Sequence, residues 1–209
     1  MSNADAVEEK NGRAYIYYKK LKENDTTYLA GRFNSKGKFA TTYGFLECRM
    51  HIVYPEGYQM AFWMMPAQEG GTTPGGIKDG TARDGAEIDI IEGNRQSDSY
   101  SCGLHWDGYG DAHQSNGEQV NASALHDQDF HVFGLEWSAD YLKFYYDGKL
   151  TRTLDQPGLI PQVPHFLYFS GHCFGENTWV DGDVRSNTFI QNGGTAESYI
   201  DYARVYKRI

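Results

Sequence analysis

The chain has 209 residues, 40% of them hydrophobic and 22% charged, enough to bury the core of one sizeable folded domain. Its net charge of -9 excludes the basic footprint that nucleic acid requires, and it disfavours polyanionic polysaccharides, so a neutral partner is expected. No apolar run approaches the roughly 18 to 20 residues that span a bilayer, and no membrane partner is expected.

Sixteen Tyr, four Trp and 24 Gly lean towards strands and turns rather than helices. Met1-Ser2-Asn3-Ala4 reads as a cloning remnant, leaving residues 5–209 as a single domain. In chain order, Asn11-Gly12 is a turn dipeptide leading into Tyr15 to Tyr18. Gly44 to Val53 alternates, with Leu46, Cys48, Met50 and Ile52 on one face and Glu47, Arg49 and His51 on the other. Gln59 to Met65 is a second strand and carries Trp63. Pro66 to Gly85 is a Gly-rich loop of about twenty residues, a length that is usually functional or mobile.

Ala86 to Glu92, Ser99 to Trp106, Phe130 to Trp137 and Leu142 to Tyr146 continue the series of strands. Asp147-Gly148 then signals a hairpin into Lys149 to Leu154, and His165 to Ser170 and Tyr199 to Tyr206 close the chain. There is no internal repeat and no amphipathic helix beyond two or three turns. Many short strands without helices predict an all-β jelly-roll sandwich of two antiparallel sheets. The cysteines Cys48, Cys102 and Cys173 are too few and too scattered for a disulfide framework.

The chemistry concentrates in Glu87-Ile88-Asp89-Ile90-Ile91-Glu92. On a regular strand Glu87 and Asp89 share a face and Glu92 falls on the other. One extra residue at Ile90-Ile91, a β-bulge, returns Glu92 to their side. Glu87 and Glu92 are then four strand steps apart, roughly 13 Å between Cα atoms. Side chains leaning inward bring the carboxyls to about 5 to 7 Å, a spacing that favours retaining over inverting glycoside hydrolysis. Asp89 between them would share a proton with one neighbour and raise the pKa of the other. The alternative is a solvated acidic face paired with lysines or arginines of a neighbouring strand.

The hexapeptide resembles the E-x-D-x-x-E signature of glycoside hydrolase family 16, in its bulged, laminarinase-like branch. Tyr43-Gly44-Phe45 with Glu47 and Arg49 resembles the family's Y-G-x-x-E-x-R strand, and Ala61 to Pro66 its A-F-W-L-L-P strand. Phe130 to Trp137, Phe144 to Gly148 and Ile200 to Tyr206 resemble three further blocks in the same order. The resemblance implies a concanavalin A-like sandwich and a retaining endo-β-glucanase acting on β-1,3 or mixed β-1,3-1,4 glucan. Glu87 would be the nucleophile, Asp89 its supporting acid and Glu92 the general acid/base. A secreted or cell-surface monomer is expected. A transglycosylase would use the same residues, and a non-catalytic carbohydrate-binding module is the rival from another class. Two departures stand out: the family's usual extra N-terminal strand with a Trp is missing, implying a trimmed or divergent start, and Ser170 to Trp179 replaces its G-G-N-W-x-G stretch.

Around the acids, the family position of Trp63 implies a sugar platform, with core packing as the plain alternative. His105, on the strand expected to pair with the acidic one, is a candidate partner of Asp89 or Glu92, or a structural histidine. Arg49 and Tyr43 are candidate substrate contacts, or surface residues. Trp179 is a candidate platform in the divergent stretch. No cofactor is needed for such catalysis, but the resemblance implies a structural calcium held by Asp201, with Gly44 offering a carbonyl. His165, His172 and Cys173 lack a second pair at zinc-ligand spacing.

Overall fold

The computed structural model describes residues 4–21, 27–53, 56–67, 77–93, 98–127, 129–175 and 180–207. Two antiparallel sheets stack face to face, as the strand pattern predicts. The first orders β1 (Val7–Lys10), β2 (Arg13–Lys20), β14 (Thr195–Tyr206), β5 (Gly44–His51), β10 (His131–Trp137), β11 (Leu142–Tyr146) and β12 (Lys149–Leu154), with β3 (Tyr28–Ala30) paired to β2. The second orders β4 (Arg32–Asn34), β13 (His165–Cys173), β6 (Tyr58–Pro66), β7 (Glu87–Gly93), β8 (Ser99–Trp106) and β9 (Gln114–Asn121). A single-turn helix, Thr188–Gln191, is capped by the Asn187 side chain.

Alternation decides which side chains meet between the sheets. Leu46, Cys48 and Met50 of β5 and Phe133, Leu135 and Trp137 of β10 point inward and are buried. From the other sheet come Met60, Phe62 and Met64 of β6 and Tyr100, Cys102, Leu104 and Trp106 of β8. Each such side chain contributes about 1.5–3 kcal/mol when fully buried. Trp106 and Trp137 are therefore core, and the Trp137 indole donates to the Pro161 carbonyl at 3.0 Å.

The turn signals are borne out. Asn11-Gly12 joins β1 to β2 and Asp147-Gly148 joins β11 to β12, with all four residues at positive φ (53°, 73°, 46° and 73°), the backbone of a type I′ hairpin. Four strands, β1, β3, β4 and β9, had no forecast. Gln114–Asn121 buries Val120 alone, because β9 is an edge strand whose other side chains meet solvent or the groove.

The sheets are also pinned by a buried cation. Arg152 of β12, 7% exposed, reaches across to donate to the Cys102 carbonyl of β8 at 2.7 Å and the Asn116 carbonyl of β9 at 3.2 Å. It also pairs with Glu118 at 3.2 Å. This fixes β8 and β9, the strands that flank β7 on one side.

Candidate active site

Strand β7 carries the three acids, and its register shows how they come to share a face. Against β6, Phe62 opposes Ile91 while Trp63 opposes Asp89, so Ile90 has no partner. Against β8, Asp89 opposes Gly103 and Glu92 opposes Ser101, leaving two residues against one. This is the β-bulge the spacing predicts. Ile88, Ile90 and Ile91 all remain in the core, so the apolar residues anchor the strand while the bulge turns Glu92 outward beside Glu87 and Asp89. All three acids line one groove on the outer face of the second sheet, with Asp89 and Glu92 reaching both sides of β7.

On the β6 and β13 side the groove has a cavity of about 270 Å³ bordered by Gln59, Trp63, Ser170 and His172. Trp63 stacks on Tyr168, centroids 4.3 Å apart and planes 12° from parallel, and its indole donates to Ser170 Oγ at 2.9 Å. Trp63 is thus a groove residue, not core. On the β8 and β9 side a hollow of about 240 Å³ lies over Ser101, Gly103, Ser115 and Gly117. The groove therefore runs across the strands on both sides of the acids.

The acids differ in their surroundings. Glu87 accepts a very short hydrogen bond from the Tyr109 hydroxyl, which favours its ionised form while burial pushes its pKa up. Tyr109 sits in the turn after β8, held there by Asp107, whose carboxylate accepts from Gly80 N and Gln114 Nε2, both at 2.9 Å. Asp89 is 2% exposed. Burial first, then the charges of Glu92 and Glu87, push its pKa well above the carboxylate range. Glu92 accepts from Gln59 Nε2 at 2.9 Å. Burial and the charge on Glu87 raise its pKa to about 8, against the lowering effect of Gln59.

His105 stands opposite Glu87 across the β7–β8 ladder, with Nε2 3.6 Å from Asp89 Oδ2. Its other ring nitrogen lies 2.9 Å from His113 Nε2, the rings stacked at 5.1 Å. Burial, then His113, lower its pKa, so a neutral imidazole faces the acids at neutral pH. Chemically, a carboxylate supported by a phenol stands beside a carboxyl that retains its proton. That pairing can attack a carbon and protonate a leaving oxygen.

Other expected residues lie elsewhere. Arg49 faces away from the core on β5 of the first sheet, the opposite side of the sandwich from the acids. It bonds Asp201 at 2.6 Å and lies over the Phe130 ring at 4.0 Å. Tyr43 packs its ring edge-on against Trp137 at 5.4 Å and lines a separate cavity of about 620 Å³ with Phe45, Tyr141 and Tyr206. Neither touches the groove. The calcium pair does not fit either. Asp201 is neutralised by Arg49 and by Arg13 at 3.8 Å. Gly44 sits against the Tyr206 carbonyl, five residues along β5 from Arg49 and so about 16 Å away. Metal-ligand atoms do converge within 4.8 Å at Glu87, Asp89 and His105, inside the acidic cluster itself. Trp179 lies outside the described residues.

The sequence profile described as glycosyl hydrolases family 16 matches residues 1–187. The chain belongs to glycosyl hydrolase family 16. Among family relatives, it is 27% identical over 201 residues to glucan endo-1,3-beta-glucosidase A1 of Niallia circulans, matching 86% of this chain and 26% of that protein. It is 29% identical over 164 residues to a beta-1,3-glucan-binding protein of Penaeus monodon, covering 73% of this chain and 41% of the relative. The chain thus spans about a quarter of the first and well under half of the second. The laminarinase catalytic domain of Thermotoga maritima superposes with a TM-score of 0.78 at 25% identity, covering 100% of this chain and 82% of the other. Gln59 and His172 line the groove and His113 backs His105, three residues that strand reading passes over, whereas the Asp107 to Gly110 turn, readable as a subsite rim, does bring Tyr109 to Glu87. For Gln59 the signal is its parity with Ala61 and Trp63, which puts a polar side chain on the groove face of an apolar strand.

Proposed function

We propose that this chain is a retaining endo-β-glucanase, with Glu87 as nucleophile and Glu92 as general acid/base. The observation that carries the reading is the Ile90 bulge, which sets three carboxylates on one face of an open groove. Their environments divide the roles. The Glu87 oxygen attacks the anomeric carbon as Glu92 gives its proton to the leaving glycosidic oxygen. Glu92, now a carboxylate, takes a proton from the water that attacks the same carbon and releases Glu87. Asp89, kept protonated by burial between two acids, would hydrogen-bond the charge on Glu87, and His105 would keep Asp89 in place. Subsites on both sides of β7 suit an internal cut in a polymer.

A neutral β-1,3 or mixed β-1,3-1,4 glucan suits a groove of aromatic and uncharged polar groups on a chain of charge -9. The substrate is bulky and extracellular in character, so secretion or display at the cell surface belongs to the reading, as does action by a monomer. The test is reducing-sugar release from laminarin, barley β-glucan, agarose and xyloglucan, with Glu87→Gln alongside. Release from a β-glucan that vanishes in the variant supports the reading. Retained glucan binding without release would instead favour a binding protein of the kind that the Penaeus monodon relative's name describes.

A further inference from the structure

The groove wall beside Glu92 is built from a polar relay whose members the carboxylate chemistry does not use. Gln59 of β6 is 3% exposed. Its Nε2 donates to Glu92 Oε1 at 2.9 Å, and its Oε1 lies 3.1 Å from His172 Nδ1. Gln59 and His172 are direct cross-strand partners in the β6–β13 ladder, and the His172 ring packs edge-on against Phe174 at 5.7 Å. Both members of the relay are therefore held by the sheet.

A primary amide has one accepting and one donating end, so whatever holds one end decides what the other offers. Desolvation by the groove wall, then Arg32, lowers the His172 pKa although the residue is exposed at the groove edge, which favours a ring with a single N–H. With that proton on Nδ1, His172 donates to the amide oxygen, and the amide nitrogen must face Glu92. Glu92 Oε1 is then occupied as an acceptor, and the transferable proton resides on Oε2.

We infer that Gln59 is a positioning residue for Glu92, set by His172, which fixes the carboxyl oxygen that delivers the proton to the leaving group. The inference rests on the acid/base reading of Glu92. Its consequence is selective: the relay matters where a proton must be delivered and is dispensable where the leaving group departs unaided.

The experiment compares wild type with Gln59→Met, which keeps length and removes both amide ends. Two rates are read: steady-state hydrolysis of the preferred β-glucan, and single-turnover release of dinitrophenolate from a dinitrophenyl β-gluco-oligosaccharide. We expect kcat on glucan to fall about tenfold to hundredfold, with KM and dinitrophenolate release within about threefold of wild type. His172→Phe, which leaves Glu92 and Gln59 intact, should show the same split more weakly, and it carries the test if the Met variant misfolds. Equal loss on both substrates, or no loss on either, overturns the inference. A wild-type protein that cleaves neither substrate overturns the acid/base reading itself, before any variant is made.

Discussion

Replacing Glu92 by Gln should make the protein more stable while removing its activity, and the gain should depend on pH in one direction. In the folded state burial and the Glu87 charge raise the Glu92 pKa from its usual 4.5 to about 8. Between those values the folded chain keeps a proton that the unfolded chain has lost. Stability contributed by the protonated group is complete below about pH 4.5 and is lost as pH rises towards 8. The full shift corresponds to roughly 5 kcal/mol at about 1.36 kcal/mol per pH unit. Glu87 and Asp89 titrate in the same cluster and share part of that cost, so about 3 kcal/mol is expected from the single substitution. For a chain of 209 residues this is a rise in Tm of about 6–12 °C at pH 8.5. At pH 4.5 the difference should nearly vanish. Thermal and urea denaturation of both proteins at the two pH values measure it. Equal stability at pH 8.5, or the same gain at both pH values, would refute the assignment of a strained, proton-holding carboxyl to Glu92.

The same titration predicts that glucan hydrolysis declines above about pH 8 as Glu92 loses its proton, visible as the alkaline limb of a kcat/KM profile. Trp63→Ala removes the ring that stacks with Tyr168 and should raise KM about tenfold with kcat largely kept, as loss of uniform binding does. Gly171→Ala would place a Cβ 2.5 Å from Tyr18 Cε1 and 2.9 Å from Ile16 Cγ2. The overpacking should cost about 1–3 kcal/mol in urea denaturation.

The sandwich and its acidic strand were legible because both rest on local rules. Alternation in β5 and β6 names the faces, and the i, i+2, i+5 spacing of the acids can share a face only through a bulge, which the β7 register contains. What escaped depends on which sheet a strand joins. Arg49 and Glu87 both point outward from their strands, yet β5 and β7 lie in opposite sheets, so the same parity puts Arg49 on the far side of the molecule. Asp201 resembles a calcium ligand in sequence, whereas the structure brings two arginines to it from β2 and β5. Strand β9 lacks the apolar alternation that announces a strand, since an edge facing a polar groove has no use for it. Gln59, His172 and His113 act through partners 113 residues away in sequence or across a turn, and pattern within one strand does not reach that far.

The central claim is a double displacement through Glu87 and Glu92, and the stereochemistry of the first product tests it most directly. Time-resolved proton NMR of β-glucan hydrolysis follows the anomeric signal of each new reducing end before mutarotation. The account predicts that the β-anomer appears first and the α-anomer only later, with no signal from Glu87→Gln. An α-anomer formed first would contradict it, as would undiminished release by that variant.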